Sequence, residues 1–184
     1  MGVASVPGPA DDPAQHLAGR AALRAALSAL GMDLPHVPRP TGGGPPPAPH
    51  GTATSITHKD SVAVAAAWHP AGPLGTDAAV YGIGVDVERV GYLPDRAAAL
   101  LSVPAERERF AAVAGWEDPA RILCAKEAAY KADPLLRNAP FLPRQVPLRP
   151  LSATAAACAE PHGRGLVATR RSLDYWISIC LTFI

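Results

Sequence analysis

The sequence is poor in lysine: of its 17 lysine and arginine residues only Lys59, Lys126 and Lys131 are lysines. The formal net charge is only +1, so the chain lacks the overall basic field by which nucleic-acid-binding proteins attract phosphate backbones. We therefore expect no nucleic-acid partner. Any binding of a phosphate group should depend on a few residues gathered in one place.

Cysteine and long apolar runs are also scarce. Three cysteines, without a regular spacing, do not fit a disulfide framework and favour a reduced cytoplasmic protein. No apolar run approaches the roughly 20 residues of a membrane-spanning helix, and no signal peptide begins the sequence, so we expect no membrane partner. The 184 residues, 48% of them hydrophobic, suit one domain or two small lobes that share a core.

The most informative stretch is V-Y-G-I-G-V-D-V-E-R-V, residues 80–90. Its alternation and β-branched residues predict a strand, on which Asp86 and Glu88 project from the same face. Two neighbouring carboxylates repel each other unless a positive charge lies between them, and Mg²⁺ commonly binds one or two protein carboxylates together with water and phosphate oxygens. On these residues alone, a magnesium site and two solvated acids at an exposed strand end both stay open.

Two long helices are predicted over 13–30 and 119–132, each introduced by an Asp-Pro pair that supplies a capping carboxylate and a proline at the first helical position. The second contains A-K-E-A-A-Y-K, in which Glu127 and Lys131 are four residues apart and share a face. By itself this spacing is also that of an ordinary ion pair on a helix surface.

Prolines and glycines divide the remainder of the chain. They predict loops over 39–51 and 134–150. Residues 52–68 are interpreted as a turn, S-I-T-H-K-D-S, followed by a buried strand that pairs with the 80–90 strand in an antiparallel hairpin. The other predicted elements are short helices over 94–101 and 103–114, and a closing hairpin formed by 165–169 and 175–184.

His58 lies beside Lys59 and among the hydroxyls of Ser55, Thr57 and Ser61. A histidine near polar residues is usually a surface residue. Hydroxyls, an imidazole and an amine together can equally form a phosphate pocket, and the residues alone do not decide between the two.

With S-I-T-H, G-V-D-V-E and A-K-E-A-A-Y-K in this order, the chain resembles the 4'-phosphopantetheinyl transferase superfamily, in particular its two-lobed single-chain members associated with surfactin and enterobactin synthetases. The stretch A-G-R-A-A-L-R-A-A-L-S-A-L-G is similar to the family's N-terminal helix, so the resemblance covers about residues 17–148. Each motif is weak alone, but their joint order is specific.

The resemblance implies an α+β fold of two similar lobes, each a small antiparallel sheet packed with a long helix, with the active site between them. We expect a flexible N-terminus over 1–11, an N-terminal lobe over 12–90 and a C-terminal lobe over 91–184. Because both lobes belong to one chain, a monomer is expected.

The implied activity is transfer of 4'-phosphopantetheine from coenzyme A to a serine of an apo carrier protein, with release of 3',5'-ADP. The implied partners are acyl, peptidyl or aryl carrier domains of nonribosomal peptide, polyketide or fatty acid synthases, in secondary metabolite biosynthesis.

Residue by residue, the resemblance assigns Asp86, Glu88 and Glu127 as ligands of Mg²⁺, for which Mn²⁺ should substitute. Glu127 also matches the candidate base for the serine proton, and Lys131 matches the lysine that neutralises the diphosphate, so these two are the expected catalytic residues. The coenzyme A-binding residues that it implies are Arg20 at the nucleotide end, His58 near the 3'-phosphate, Lys59, Lys126 and Lys131.

Two departures from the family pattern concern the nucleotide end. Family members usually carry an extra strand and basic residues before the first helix, whereas no lysine or arginine precedes Arg20 here. Ala48-Pro49 stands where the family generally has a Trp-Pro pair. These departures predict weaker coenzyme A binding or a truncated start, and a different packing of the loop over the nucleotide.

Two other functions compete with transfer. A metal-dependent nuclease can also use strand acids with a helix Glu and Lys, but its common acid-x-Lys spacing is missing and the net charge is near zero. A non-catalytic protein that binds coenzyme A or a carrier is suggested by the missing N-terminal basic residues, while the retained Asp86, Glu88, Glu127 and Lys131 argue against it.

Overall fold

The computed structural model describes residues 2–5, 13–37, 48–69, 80–136, 139–158 and 164–183. The helices in these ranges are α1 (Pro13–Ser28), α2 (Ala98–Leu101), α3 (Pro104–Ala111) and α4 (Pro119–Ala132). The strands are β1 (Gly2–Ser5), β2 (Ala53–Lys59), β3 (Val62–Trp68), β4 (Val80–Arg89), β5 (Leu148–Ser152), β6 (Ala155–Cys158), β7 (Arg164–Ser172) and β8 (Tyr175–Phe183). None of the described helices is both long and apolar enough to cross a membrane.

The first sheet has three antiparallel strands in the order β1-β3-β2 and carries α1 on one face. Leu23 and Leu27 of α1 are fully buried against Ala65 of β3 and Ile56 of β2. The hairpin between β2 and β3 turns at Asp60, which has a positive φ of 50°. Burial of this apolar helix stripe against the sheet is the main force that holds the two together.

Two expectations for this part of the chain were wrong. Residues 53–59 form β2 and not a turn, because each strand residue pairs with β3 from Ala53↔Trp68 to Lys59↔Val62. Four of the residues expected to be flexible, Gly2–Ser5, form β1 and pair with β3. The rest of 1–11 lies outside the described residues, as does Asp12, the predicted cap of α1.

The second sheet has five antiparallel strands in the order β4-β8-β7-β6-β5, and α4 packs against β4 and β8. The start of α4 is as predicted: Asp118 caps the helix by accepting a hydrogen bond of 2.9 Å from the N–H of Ala120. The predicted closing hairpin is confirmed as β7 and β8, with Ser172 opposite Tyr175.

The predicted hairpin between β3 and β4 is wrong. Among the described strands, both edges of β3 are occupied by β1 and β2, so no edge is left for β4. β4 instead pairs with β8, with Asp86 opposite Ser178. This strand therefore belongs to the five-stranded sheet. The lobe boundary at residue 90 stays a prediction.

The two sheets meet along the edges of β2 and β4. The N–H of Val85 donates a hydrogen bond of 3.0 Å to Oγ of Ser55, and the Thr57 hydroxyl donates one of 2.9 Å to Oδ1 of Asp86. One face of β4, with Val85 and Val87, joins Val64 of β3 in a buried apolar cluster. The predicted α+β class is confirmed, and each antiparallel sheet packs against one long helix.

The opposite face of β4 carries Gly82, Gly84, Asp86 and Glu88 in alternation. A Cβ added at Gly84 would overlap the carbonyl oxygen of Ala128 in α4, and one added at Gly82 would overlap that of Ala132. The two glycines therefore let α4 lie directly on the strand backbone. This close approach brings side chains of α4 next to the two acids that follow on the same face.

Candidate active and metal site

Three carboxylates converge where β4 meets α4. Asp86 and Glu88 of β4 are 2% and 6% exposed, and Glu127 of α4 is half-buried. One carboxylate oxygen from each lies within 4.8 Å of the others. The structure thus brings together the three predicted metal ligands, and such a set of hard oxygen donors suits a divalent cation such as Mg²⁺ or Mn²⁺.

Two lysines accompany the carboxylates. Nζ of Lys131 lies 2.6 Å from Oδ1 of Asp86 and 3.5 Å from Oε2 of Glu127. Nζ of Lys59 lies 2.8 Å from Oε2 of Glu88. Burial alone would lower the pKa of Lys131, but the charges of Asp86 and Glu127 outweigh it and raise that pKa above its usual value. Lys131 is therefore a permanent positive charge beside the acids.

The two glutamates are harder to ionise than ordinary glutamates. Burial, together with the charge of Asp86, raises the pKa of Glu127 to about 7, although Lys131 opposes the shift. Burial also raises the pKa of Glu88, against the effect of its contact with Lys59. Clustered, buried carboxylates with raised pKa values are costly to the fold, and a bound cation would relieve that cost.

The raised pKa of Glu127 predicts how the metal-free protein responds to pH. Its folded-state pKa of about 7 exceeds the ordinary 4.5, so the folded chain holds this proton more tightly than the unfolded chain. The resulting stability is complete below about pH 4.5 and is lost as the pH rises through about 7, a change of up to ~3 kcal/mol. Glu127→Gln should remove this loss, so its free energy of unfolding should exceed that of the wild type increasingly from about pH 5 to about pH 8.

Urea unfolding in the presence of a chelator at several pH values measures this difference. Glu108→Gln, which removes an exposed carboxylate of α3, is the matched control and should track the wild type. A constant difference between Glu127→Gln and the wild type across the pH range would contradict the raised pKa.

One buried oxygen supports the fit of a cation to these residues. Oδ1 of Asp86 accepts from Thr57 and Lys131, whereas Oδ2 of Asp86 is buried without a hydrogen-bond partner among the described residues. A buried carboxylate oxygen of this kind is expensive unless a proton or a metal satisfies it. The donor set of Asp86, Glu88 and Glu127 therefore fits a metal by its chemistry and by its arrangement.

Comparison with known proteins gives a family match for the N-terminal part of the chain. Residues 13–68 match the family model described as the 4'-phosphopantetheinyl transferase N-terminal domain. This match supports the 4'-phosphopantetheinyl transferase superfamily as the family of the chain. The match spans α1, β2 and β3, and it supports the resemblance drawn from the N-terminal helix and S-I-T-H; the motifs G-V-D-V-E and A-K-E-A-A-Y-K lie outside it. It indicates a transferase that acts on carrier proteins. No curated protein sequence matches the chain.

The predicted nucleotide-end residues lie on the other side of β2 from the acids. His58 faces α1, where its ring meets that of His16 edge to face with the centroids 6.0 Å apart. Arg20 lies one turn further along α1 and is half-buried. His58 and Lys59 were expected to act together, but neighbouring residues of a strand point to opposite faces, and the structure separates them.

Lys126 is not brought to the site. It is fully buried, and its Nζ donates to both carboxylate oxygens of Glu106 at 2.8 Å and to the carbonyl oxygens of Val146 and Pro143. Its neighbour in sequence, Glu127, points from a different side of α4. The predicted coenzyme A-binding role of Lys126 is thus unsupported: this lysine joins α3, α4 and the segment before β5.

Three contacts of the site were not predicted from the sequence. Thr57 hydrogen bonds to Asp86, His16 lies against His58, and the ring of Tyr92 lies 4.5 Å below Nζ of Lys59. Alternation along A-T-S-I-T-H-K was the available signal for Thr57, because as a strand it places Thr57 and Lys59 on one face. His16 carried a weaker signal, its spacing of four residues before Arg20.

Proposed function

We propose that this phosphopantetheinyl transferase moves the 4'-phosphopantetheine group of coenzyme A onto a serine of an apo carrier protein in a Mg²⁺-dependent reaction that releases 3',5'-ADP. The observation that carries the proposal is the convergence of Asp86, Glu88 and Glu127 with Lys131, in a chain whose N-terminal part matches the family. Acids with a cation at one point are suited to a bound diphosphate.

The side chains divide the work as follows. Asp86, Glu88 and Glu127 would hold Mg²⁺, which when bound supplies positive charge to the diphosphate oxygens. Lys131, held between Asp86 and Glu127, is positioned to donate to the same oxygens and to stabilise charge that develops on them. The serine oxygen bonds to the β-phosphorus of coenzyme A while the bond to 3',5'-ADP breaks.

Glu127 is the proposed acceptor of the serine proton, directly or through water. Its position at the half-exposed end of the acid cluster leaves it open to an incoming hydroxyl, whereas Asp86 and Glu88 are buried.

The nucleotide end is assigned to His58, with His16 and Arg20 beside it on α1. The two rings in contact and the arginine one turn away form a compact group of cationic or hydrogen-bonding side chains. His16 adds a second imidazole to this end of the site. Lys59 is omitted from this group, because it faces Glu88.

His58→Ala is expected to raise the Michaelis constant for coenzyme A about tenfold, since a charge-assisted contact with a phosphate contributes on the order of 1.5 to 3 kcal/mol. The constant for dephospho-coenzyme A, which lacks the 3'-phosphate, should change far less. Turnover at saturation should also fall less, because this end is remote from the reacting phosphorus. His36→Ala, at an exposed histidine after α1, is the control. Equal losses with both nucleotides would show that His58 is structural.

The proposed partners are acyl, peptidyl or aryl carrier domains of peptide, polyketide or fatty acid synthases. We propose that the protein itself acts as a monomer in the cytoplasm. Exposed apolar side chains of Leu100, Val103, Leu135 and Leu142 offer contacts to such a domain. Phe110, in the same region of the sequence, is 2% exposed and belongs to the core.

The test is to incubate the protein with apo carrier protein, coenzyme A and Mg²⁺ and to measure the intact mass of the carrier. The expected result is the addition of one pantetheinyl group, with an equal amount of 3',5'-ADP, and no reaction with chelator. A nuclease would instead cut an added oligonucleotide, and a binding protein would leave the carrier unchanged. Either of those results would overturn the proposal.

A further inference from the structure

Lys59 lies on the metal side of β2. Its Nζ is 2.8 Å from Oε2 of Glu88, whose side chain is only 7% exposed, while the lysine side chain is 31% exposed. The contact joins β2 to β4, two residues along each strand from the hydrogen bond between Thr57 and Asp86. We propose that Lys59 is an internal counter-ion of Glu88 that competes with the divalent cation, so that metal binding requires Lys59 to leave the carboxylate. This inference rests on the proposed function of the acid cluster.

The charges of the cluster are nearly balanced without a metal. Lys131 is paired with Asp86, and Lys59 is paired with Glu88, so that the three carboxylates keep one negative charge in excess. Three unpaired acids would attract a divalent cation far more strongly than this group does. The lysines therefore stabilise the metal-free fold and weaken the binding of a metal that arrives alone.

A cation and Lys59 would share the Glu88 carboxylate. The three carboxylate oxygens lie within 4.8 Å of one another, near the ~4.2 Å that separates opposite oxygen ligands of Mg²⁺, so the metal would lie among them. A metal held by Glu88 would then lie close to the Lys59 ammonium, which contacts the same carboxylate at 2.8 Å. Two cations so close in a buried site repel each other strongly.

Lys59 is able to leave Glu88. In its present position its Nζ also lies 4.5 Å from the centre of the Tyr92 ring, a favourable cation–π contact, and its partly exposed stem allows the ammonium to move outward along the ring. A displaced ammonium beside this cluster needs an anionic partner, and the diphosphate of the substrate provides one. Lys59 thereby makes the binding of metal and the binding of the anionic substrate depend on each other.

Binding of Mn²⁺ to the protein alone tests the role of Lys59, because the signal of free Mn²⁺ in electron paramagnetic resonance reports binding without any turnover. Lys59→Met keeps the length of the side chain and removes its charge. This variant should bind Mn²⁺ about tenfold more tightly than the wild type. Lys59→Arg should stay within about threefold of the wild type. Arg89→Met removes an exposed charge from the residue after Glu88 and is the matched control. Its Mn²⁺ affinity should also stay within about threefold of the wild type.

A second titration adds coenzyme A. The substrate should strengthen Mn²⁺ binding in the wild type, and this enhancement should be smaller in Lys59→Met. Thermal unfolding with chelator confirms that each variant is folded. Unchanged or weaker Mn²⁺ binding by folded Lys59→Met, or an equal gain in Arg89→Met, would overturn the counter-ion role. The carrier mass assay on the wild type judges the proposed function separately, so an active wild type with unaffected Lys59→Met overturns only this inference.

Discussion

Asp86→Asn is expected to lower kcat/KM for pantetheinyl transfer by about a thousandfold or more, while the protein stays folded. The amide keeps the shape of the side chain and can still accept from the Thr57 hydroxyl, but it loses the charge that would hold a divalent cation. Stability should change little, because Asp86 repels Glu88 and Glu127, and removing that repulsion offsets the loss of its ion pair with Lys131.

The measurement is the rate of carrier modification at saturating Mg²⁺, with circular dichroism to verify the fold. Asp95→Asn, at an exposed acid in the turn before α2, provides the control and should retain the wild-type rate. Turnover by Asp86→Asn within tenfold of the wild type would contradict the assignment of the three carboxylates as metal ligands.

Gly84→Ala is the second substitution with a large expected effect. The new methyl group would overlap the carbonyl oxygen of Ala128, so α4 must move away from β4. Overpacking of this kind costs about 3 kcal/mol. A shift of about 1 Å at Glu127 and Lys131, relative to the acids of β4, should also lower kcat about a hundredfold.

Gly165→Ala separates the loss of stability from the loss of activity. Gly165 lies in β7, and a Cβ added there would press on Sγ of Cys158 and not on α4. That variant should lose stability and keep kcat near the wild-type value when assayed below its unfolding temperature. Full activity of Gly84→Ala, or an equal fall in kcat for Gly165→Ala, would show that contact between α4 and β4 does not set the geometry of the site.

Local patterns predicted the parts of the site that lie on single elements. The alternation of 80–90 placed Asp86 and Glu88 on one face, and spacing on the predicted 119–132 helix paired Glu127 with Lys131. That Glu127 joins the two strand acids came from the family resemblance. The physical cause of this meeting is the pair Gly82 and Gly84 on β4, which lets α4 lie close against the strand. The sequence pattern does not say which helix packs there.

The failures share one cause, which is contact between segments distant in sequence. Lys126 is next to Glu127 in sequence, yet its partner is Glu106, 20 residues away. This ion pair is buried in the interior of the C-terminal part. Polar residues made 53–59 resemble a turn, but Ser55, Thr57 and Lys59 each bind a group of β4 across the contact of the two sheets. Periodicity reports only which residues share a face. It therefore could not identify Glu106 as the partner of Lys126 or β4 as the partner of residues 53–59.

Crystals grown with Mn²⁺ and coenzyme A, with diffraction recorded at a wavelength where manganese scatters anomalously, would show directly whether the three carboxylates hold the metal against the substrate. We expect one strong anomalous peak within about 2.5 Å of an oxygen from each of Asp86, Glu88 and Glu127, with the diphosphate of coenzyme A in contact with the same ion. Bound coenzyme A whose diphosphate lies elsewhere, or a manganese peak away from these three carboxylates, would contradict it.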